Sequence, residues 1–218
     1  GVVLMFNYEE MKNKIILADC MDIMKDIPDK FFELAIVDPP YGIGMHKAQG
    51  TSKKNSKTWI GSEWDNDRPK MEYFNELKRI SVNQIIWGAN YFVEFLESGN
   101  KWIVWDKMLD QDQSHFEIAY TTFIGAERIF RFSRSNLQGF RNPYRFHPTE
   151  KPIALYRWLL QNYAKPGDKI IDTHSGSGSC AIACHLEKFE FLAIEKDEDY
   201  YKASVKRLEE IRSQGVLF

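Results

Sequence analysis

Seven short runs of apolar, β-branched residues alternate along this chain with longer segments of helical period. That alternation restricts it to an α/β fold, a mostly parallel sheet with covering helices on both faces. The strands are expected at Lys14–Ala18, Leu34–Val37, Gln84–Trp87, Trp102–Trp105, Glu117–Thr122, Lys169–Ile171 and Phe191–Ile194. Helices are expected over Lys151–Tyr163, with Pro152 near the first turn and Gly167 soon after the end, and over Glu198–Arg212, stopped near Gly215. A third should run from about Ser179 to Glu187. The last helix puts Tyr201, Val205, Leu208 and Ile211 on one side, a stripe that reads as core. A chain of 218 residues is long enough for one substantial core and crowded for two, so residues 1–218 read as a single domain with insertions.

Composition narrows the class further. Hydrophobic residues make up 44% and charged residues 28%, which leaves no case for extended disorder. No apolar run reaches the roughly 18 residues of a membrane span, and Val2 to Phe6 lacks the flanks of a signal peptide. The expectation is a cytoplasmic protein, with Met5 or Met11 fitting a natural start. Cys20, Cys180 and Cys184 cannot all pair, and Cys180 and Cys184 lack a second close-spaced pair to complete a zinc site, so no metal is expected.

The net charge of −2 hides an uneven distribution. Lys47, Lys53, Lys54 and Lys57 fall in a stretch without an acid, as do Arg128, Arg131, Arg134, Arg141 and Arg145, and removing these nine charges leaves −11 on the rest. Residues 45–69 are rich in Gly, Ser, Asn and Lys without periodicity, and read as a long loop. Residues 126–148 interleave the arginines with Phe140, Tyr144 and Phe146, a mixture suited to bases and phosphates. Each stretch alone also reads as a solvated loop; together they resemble phosphate-contacting loops on an acidic body. The candidate nucleic-acid contacts are Lys47, Lys53, Lys54, Arg134, Arg141 and Arg145.

Two motifs carry chemistry. In Glu33–Tyr41 a buried-type strand stops at Asp38-Pro39-Pro40-Tyr41. The prolines fix the turn and remove two backbone donors, so beside Asp38 the corner offers only acceptors, which suits an amino group with two hydrogens to donate. Tyr41 adds a flat face for a planar ring. The bland alternative is a strand-end turn with a Pro-Pro stop. The second motif, Lys169–Ser179, is a strand followed by Asp172-Thr173-His174-Ser175-Gly176-Ser177-Gly178 and a helix start. Such a turn lets a ligand approach the backbone at the positive end of a helix. Gly176, Gly178 and Ala181 also satisfy G-x-G-x-x-A, and Glu195 follows at the next strand end where an acid can bind ribose hydroxyls, so a nicotinamide dinucleotide is a rival ligand. No second mononucleotide-binding half follows in the 23 residues after Glu195.

With both motifs present, the chain resembles the amino-directed DNA methyltransferases, whose signature is Asp/Asn/Ser-Pro-Pro followed by an aromatic residue at a strand end. The order, catalytic motif first and cofactor motif last, is similar to that of the permuted β class. The resemblance covers residues 14–212, with 42–146 the least diagnostic part. It implies a Rossmann-like S-adenosylmethionine-dependent methyltransferase fold with a seven-stranded, mostly parallel sheet. It implies catalysis at Asp38, Pro39, Pro40 and Tyr41 on a base flipped out of double-stranded DNA. Cofactor contacts would come from Asp19, Cys20, Asp38, Thr149, Lys151, Asp172, His174, Ser175, Gly176, Ser177, Gly178 and Glu195. The segment His147–Pro152 is similar to the one that helps hold the methionine end.

Asp38 favours N6 of adenine, while N4 of cytosine uses the same corner and often has Ser there. A catalytically silent DNA-binding relative is a third reading. Thr173 and His174 depart from the usual Pro-Phe, so His174 either packs beside the sulfonium or is a plain turn residue. Residues 126–148 would be the target-recognition segment, and it is short, which points to a short target or to a partner subunit, such as a second copy in a homodimer. A companion restriction enzyme would fit a restriction-modification role.

Overall fold

The computed structural model describes residues 5–42, 68–98, 101–108, 114–133 and 150–214. In chain order its elements are α1 (Tyr8–Met11), β1 (Lys14–Leu17), α2 (Cys20–Met24), β2 (Phe32–Val37), α3 (Met71–Ile80), β3 (Ser81–Trp87), β4 (Lys101–Asp106), β5 (Phe116–Thr121), β6 (Arg128–Arg131), α4 (Ile153–Tyr163), β7 (Lys169–Asp172), α5 (Ser179–Glu187), β8 (Glu190–Glu195) and α6 (Glu198–Ser213).

One sheet contains every strand of the described residues, in the order β1-β8-β7-β2-β3-β5-β4-β6. Among the described residues only the pairings of β5, with β3 and with β4, are antiparallel. The described residues thus hold eight strands where seven were expected. The addition is β6, Arg-Ile-Phe-Arg, an exposed edge strand beside β4. Its two arginines placed it among the basic loop residues, and four residues are too few to show an alternation.

The pleat of the central strands divides the core. Leu34, Ile36, Ile85 and Trp87 face α4, α5 and α6, whereas Ala35, Val37 and Ile86 face α2 and α3. β2 is buried on both sides because helices cover both faces, which explains its nearly continuous apolar run. α3 has the amphipathic pattern Tyr73, Phe74, Leu77 and Ile80, all buried. Each such side chain stabilises the fold by about 1.5–3 kcal/mol. α6 begins where the Asp197 side chain accepts from the amides of Asp199 and Tyr200.

Chain order reverses between β2 and β7, which are neighbours: β2 leads through α3 to β3 on one side, and β7 leads through α5 to β8 on the other. In open sheets of this kind, ligands bind at that switch point, outside the carboxyl ends of the strands.

Candidate active site

Four adjacent strands, β1, β8, β7 and β2, deliver an acid at or just past their carboxyl ends: Asp19, Glu195, Asp172 and Asp38. Above them lies a cavity of about 640 Å³, within the range of small-molecule sites. Asp38-Pro39-Pro40-Tyr41 lines one part, and His174-Ser175-Gly176-Ser177 with Glu195, Asp19 and Cys20 another. The fold therefore brings both sequence motifs to one cavity. Asp172 and Gly178 do not line it. Asp172 is buried beneath, and Gly178, at φ +74°, presses the turn onto α6, where an added Cβ would meet Ser204 Cβ at 3.1 Å.

The Asp38 corner is held by side chains distant in sequence. Tyr41 donates its hydroxyl to Asp38 Oδ1 over 2.6 Å. Lys151 donates to Asp38 Oδ2 and lies 3.3 Å from the Tyr41 hydroxyl. Expected among the cofactor residues, Lys151 thus has its ammonium in the corner with Asp38, although it also lines the cavity. It lies 3.0 Å from Glu117 Oε2, and Lys107 lies 2.8 Å from Glu117 Oε1. Burial lifts the Asp38 carboxyl, and the Lys151 ammonium opposes that lift. Lys151 is held cationic, against its own desolvation, by Asp38 and Glu117. Glu117 is also desolvated, yet Lys151 and Lys107 bring it down to about 2.

The glycine turn is fixed by Glu195. Its Oε2 accepts from the Gly176 amide at 2.7 Å and its Oε1 from the Asp197 amide at 2.9 Å. Asp172 Oδ1 accepts from the His174 amide at 3.1 Å, and burial pushes Asp172 up to about 8. His174 Nδ1 lies 2.9 Å from Thr173 Oγ1, which lies 2.7 Å from the Tyr73 hydroxyl. Desolvation drops the His174 imidazole to about 4, so it is neutral at pH 7. Asp19 caps α2 through the Met21 amide, 2.9 Å from Oδ1, and pairs with Lys196 at 2.8 Å. The Cys20 thiol is pushed up to about 12, by burial first and then by Asp19, so it stays protonated.

Thr149 and the candidate nucleic-acid contacts Lys47, Lys53, Lys54, Arg134, Arg141 and Arg145 lie outside the described residues, as do His147 and most of both basic stretches. Sequence reasoning missed Glu117, Lys107, Tyr73 and Tyr91. Glu117 is the one acid in Phe-Glu-Ile-Ala-Tyr-Thr, a strand otherwise apolar or uncharged, and that was the available signal. Among the described residues no group of His, Cys, Asp or Glu could hold a metal, and no helix is long and apolar enough to cross a membrane.

The profile of a family described as DNA methylase, N6/N4 type, matches residues 90–206, more than half of the chain. The chain belongs to that DNA methylase family. The protein YubD of Escherichia coli (strain K12), which carries the name of a methylase, is 24% identical over 208 residues, spanning 90% of each chain. The type II methyltransferase M.HinfI of Haemophilus influenzae is 22% identical over 254 residues, spanning 94% of this chain and 71% of the other. Among solved folds, the complex of M1.HpyAVI with S-adenosylmethionine superposes with a TM-score of 0.61 at 18% identity, over 89% of this chain and 98% of the other. The cytosine-N4-specific PvuII DNA methyltransferase superposes with a TM-score of 0.58 at 12% identity, over 92% and 91%.

The cavity of this DNA methylase fits a cationic adenosyl cofactor on its own chemistry. Asp19, Asp38, Glu72, Glu150, Glu195 and Asp197 line it against Arg68, Lys70, Lys151 and Lys196, an excess of acid that suits a sulfonium and an ammonium better than a pyrophosphate. Ser175 Oγ is buried with no hydrogen-bond partner among the described residues, an unmet polar group beside the glycine turn.

Proposed function

We propose that the chain methylates the N6 amino group of adenine in double-stranded DNA, with S-adenosylmethionine as methyl donor and the base flipped out of the helix. The observation that carries this reading is the Asp38 carboxylate at the end of β2, facing the same cavity as the Glu195-braced glycine turn. The cofactor, when bound, supplies an electrophilic methyl on a sulfonium. Glu195 and Asp19 would hold its ribose and adenine side, and Ser175 and His174 its methionine end, with Asp172 holding the His174 amide from beneath.

An adenine amino nitrogen is a poor nucleophile because its lone pair is conjugated with the ring. Asp38 and the Pro39 carbonyl would accept its two hydrogens, favouring a pyramidal nitrogen whose lone pair points at the methyl. As the methyl leaves sulfur, which would keep the bonding pair and become a neutral thioether, the nitrogen would become cationic, and Asp38 is placed to take the surplus proton. Tyr41 would stack on the flipped base, offsetting about 1–3 kcal/mol of its unstacking. The basic stretches 45–69 and 126–148 would carry the phosphate contacts.

Methylation of the cytosine amino group is the second reading, favoured by the likeness to the PvuII enzyme. Incubation with unmethylated genomic DNA and S-adenosylmethionine, followed by mass spectrometry of the nucleosides, separates the readings. N6-methyladenine is the expected product. N4-methylcytosine would keep the corner's chemistry and overturn the base, and no product with DNA and cofactor both bound would leave a silent relative.

A further inference from the structure

We propose that Glu117, braced by Lys107, is a positioning residue that shares the Lys151 ammonium with Asp38 and so leaves the Asp38 carboxylate able to accept the target amino group. The proposal rests on Asp38 being the methylation corner. Each oxygen of Glu117 faces a different ammonium, Oε1 that of Lys107 at 2.8 Å and Oε2 that of Lys151 at 3.0 Å. The two lysine side chains are only 8% and 2% exposed, so each needs a carboxylate partner. Two ammoniums and two carboxylates make the cluster neutral.

What marks Glu117 as more than a structural counter-ion is that it shares one ammonium with Asp38. Lys151 hydrogen-bonds to Asp38 and is paired at the same time with Glu117 Oε2 at 3.0 Å. Lys151 can turn to it with little movement. That matters because an ammonium only donates, and on Asp38 it competes with the hydrogens of the target amino group. It also repels the positive charge that grows on the attacking nitrogen. With Glu117 ready to receive it, Lys151 can yield Asp38 without becoming a buried unpaired charge. The other groups that face or couple to Asp38 are the Tyr41 hydroxyl, Tyr73, Tyr156 and Asp172.

The test is the pH dependence of kcat/KM for DNA, at saturating S-adenosylmethionine, in wild type, Glu117→Gln and Lys107→Met. Glu117→Gln should lower kcat about ten-fold or more, as displaced catalytic groups do, with the KM for cofactor nearly unchanged. Its acidic limb should move to lower pH, because Asp38 loses a like-charged neighbour and holds Lys151 alone. Lys107→Met should move the limb the other way, since Glu117 then draws Lys151 from Asp38. In the cofactor-free protein, Lys151 followed by nitrogen NMR should lose its proton at lower pH in Glu117→Gln than in wild type. Limbs that stay in place, or move together, overturn the proposal while leaving the methylation reading intact. If Glu117→Gln does not fold, an unmoved limb in Lys107→Met is enough to overturn it. A folded wild type that methylates no base removes the methylation reading and this proposal with it.

Discussion

Tyr91 stacks on Tyr41 with ring centroids 4.8 Å apart and planes 15° from parallel. One face of the Tyr41 ring is thus taken by protein, and its hydroxyl is tied to Asp38. The side chain combines a hydrogen bond to the carboxylate with the flat surface that the proposed mechanism gives to the base, and substitution separates the two. Tyr41→Phe keeps the ring and loses one hydrogen bond to a charged group, which should slow single-turnover methylation about ten-fold. Tyr41→Ala also loses stacking of about 1–3 kcal/mol and should slow it by a further ten-fold or more. Equal rates for the two variants would remove base stacking from the role of Tyr41.

Gly88 sits at φ +68° directly against that ring, and a Cβ there would overlap Tyr41. Gly88→Ala must therefore strain the backbone and push Tyr41 aside. Methyl transfer is expected to fall at least as far as in Tyr41→Ala, while cofactor affinity, measured by calorimetry, stays near wild type because the glycine turn is built on β7 and β8. A variant that turns over at the wild-type rate would mean that the Tyr41 position is not needed.

Much of this arrangement was legible in the sequence because strand ends are local. Asp38-Pro-Pro-Tyr41 and the Gly176/Gly178 turn each announce a strand stopping at polar residues or glycine, and parallel pairing then forces those ends to one edge of the sheet. Lys151 also stood within a motif, but its partners could not be read: Asp38 lies 113 positions away and Glu117 on β5, which runs antiparallel to its neighbours. Ion pairs across a sheet leave no periodicity. α3 escaped for a different reason, since its apolar residues follow a long polar stretch and run into β3 without a loop, Ile80 being the last residue of the helix and Ser81 the first of the strand.

Glu195 uses both carboxylate oxygens on backbone amides, those of Gly176 and Asp197. Glutamine at this position has one carbonyl oxygen and can satisfy only one of them. Glu195→Gln is therefore expected to loosen the turn and weaken S-adenosylmethionine binding about ten-fold, roughly 1.4 kcal/mol. Calorimetric titration checks this, and an unchanged Kd would limit Glu195 to a structural part.

His174 gives a prediction whose sign follows from its burial. Its imidazole titrates at about 4 in the folded protein against an ordinary value of 6.5. Above about pH 6.5 it is neutral in both folded and unfolded chains and contributes no pH dependence. Between 6.5 and 4 the unfolded chain takes up the proton and the folded one does not, so stability falls as pH falls, by about 3 kcal/mol at full extent. His174→Phe removes that titration along with the contacts to Thr173 and Tyr73. The variant should be less stable than wild type at pH 7, by about 1 kcal/mol for the lost hydrogen bond, yet lose less stability on going to pH 4.5. Urea unfolding at the two pH values measures both, and parallel losses in the two proteins would mean that His174 is already protonated in the fold.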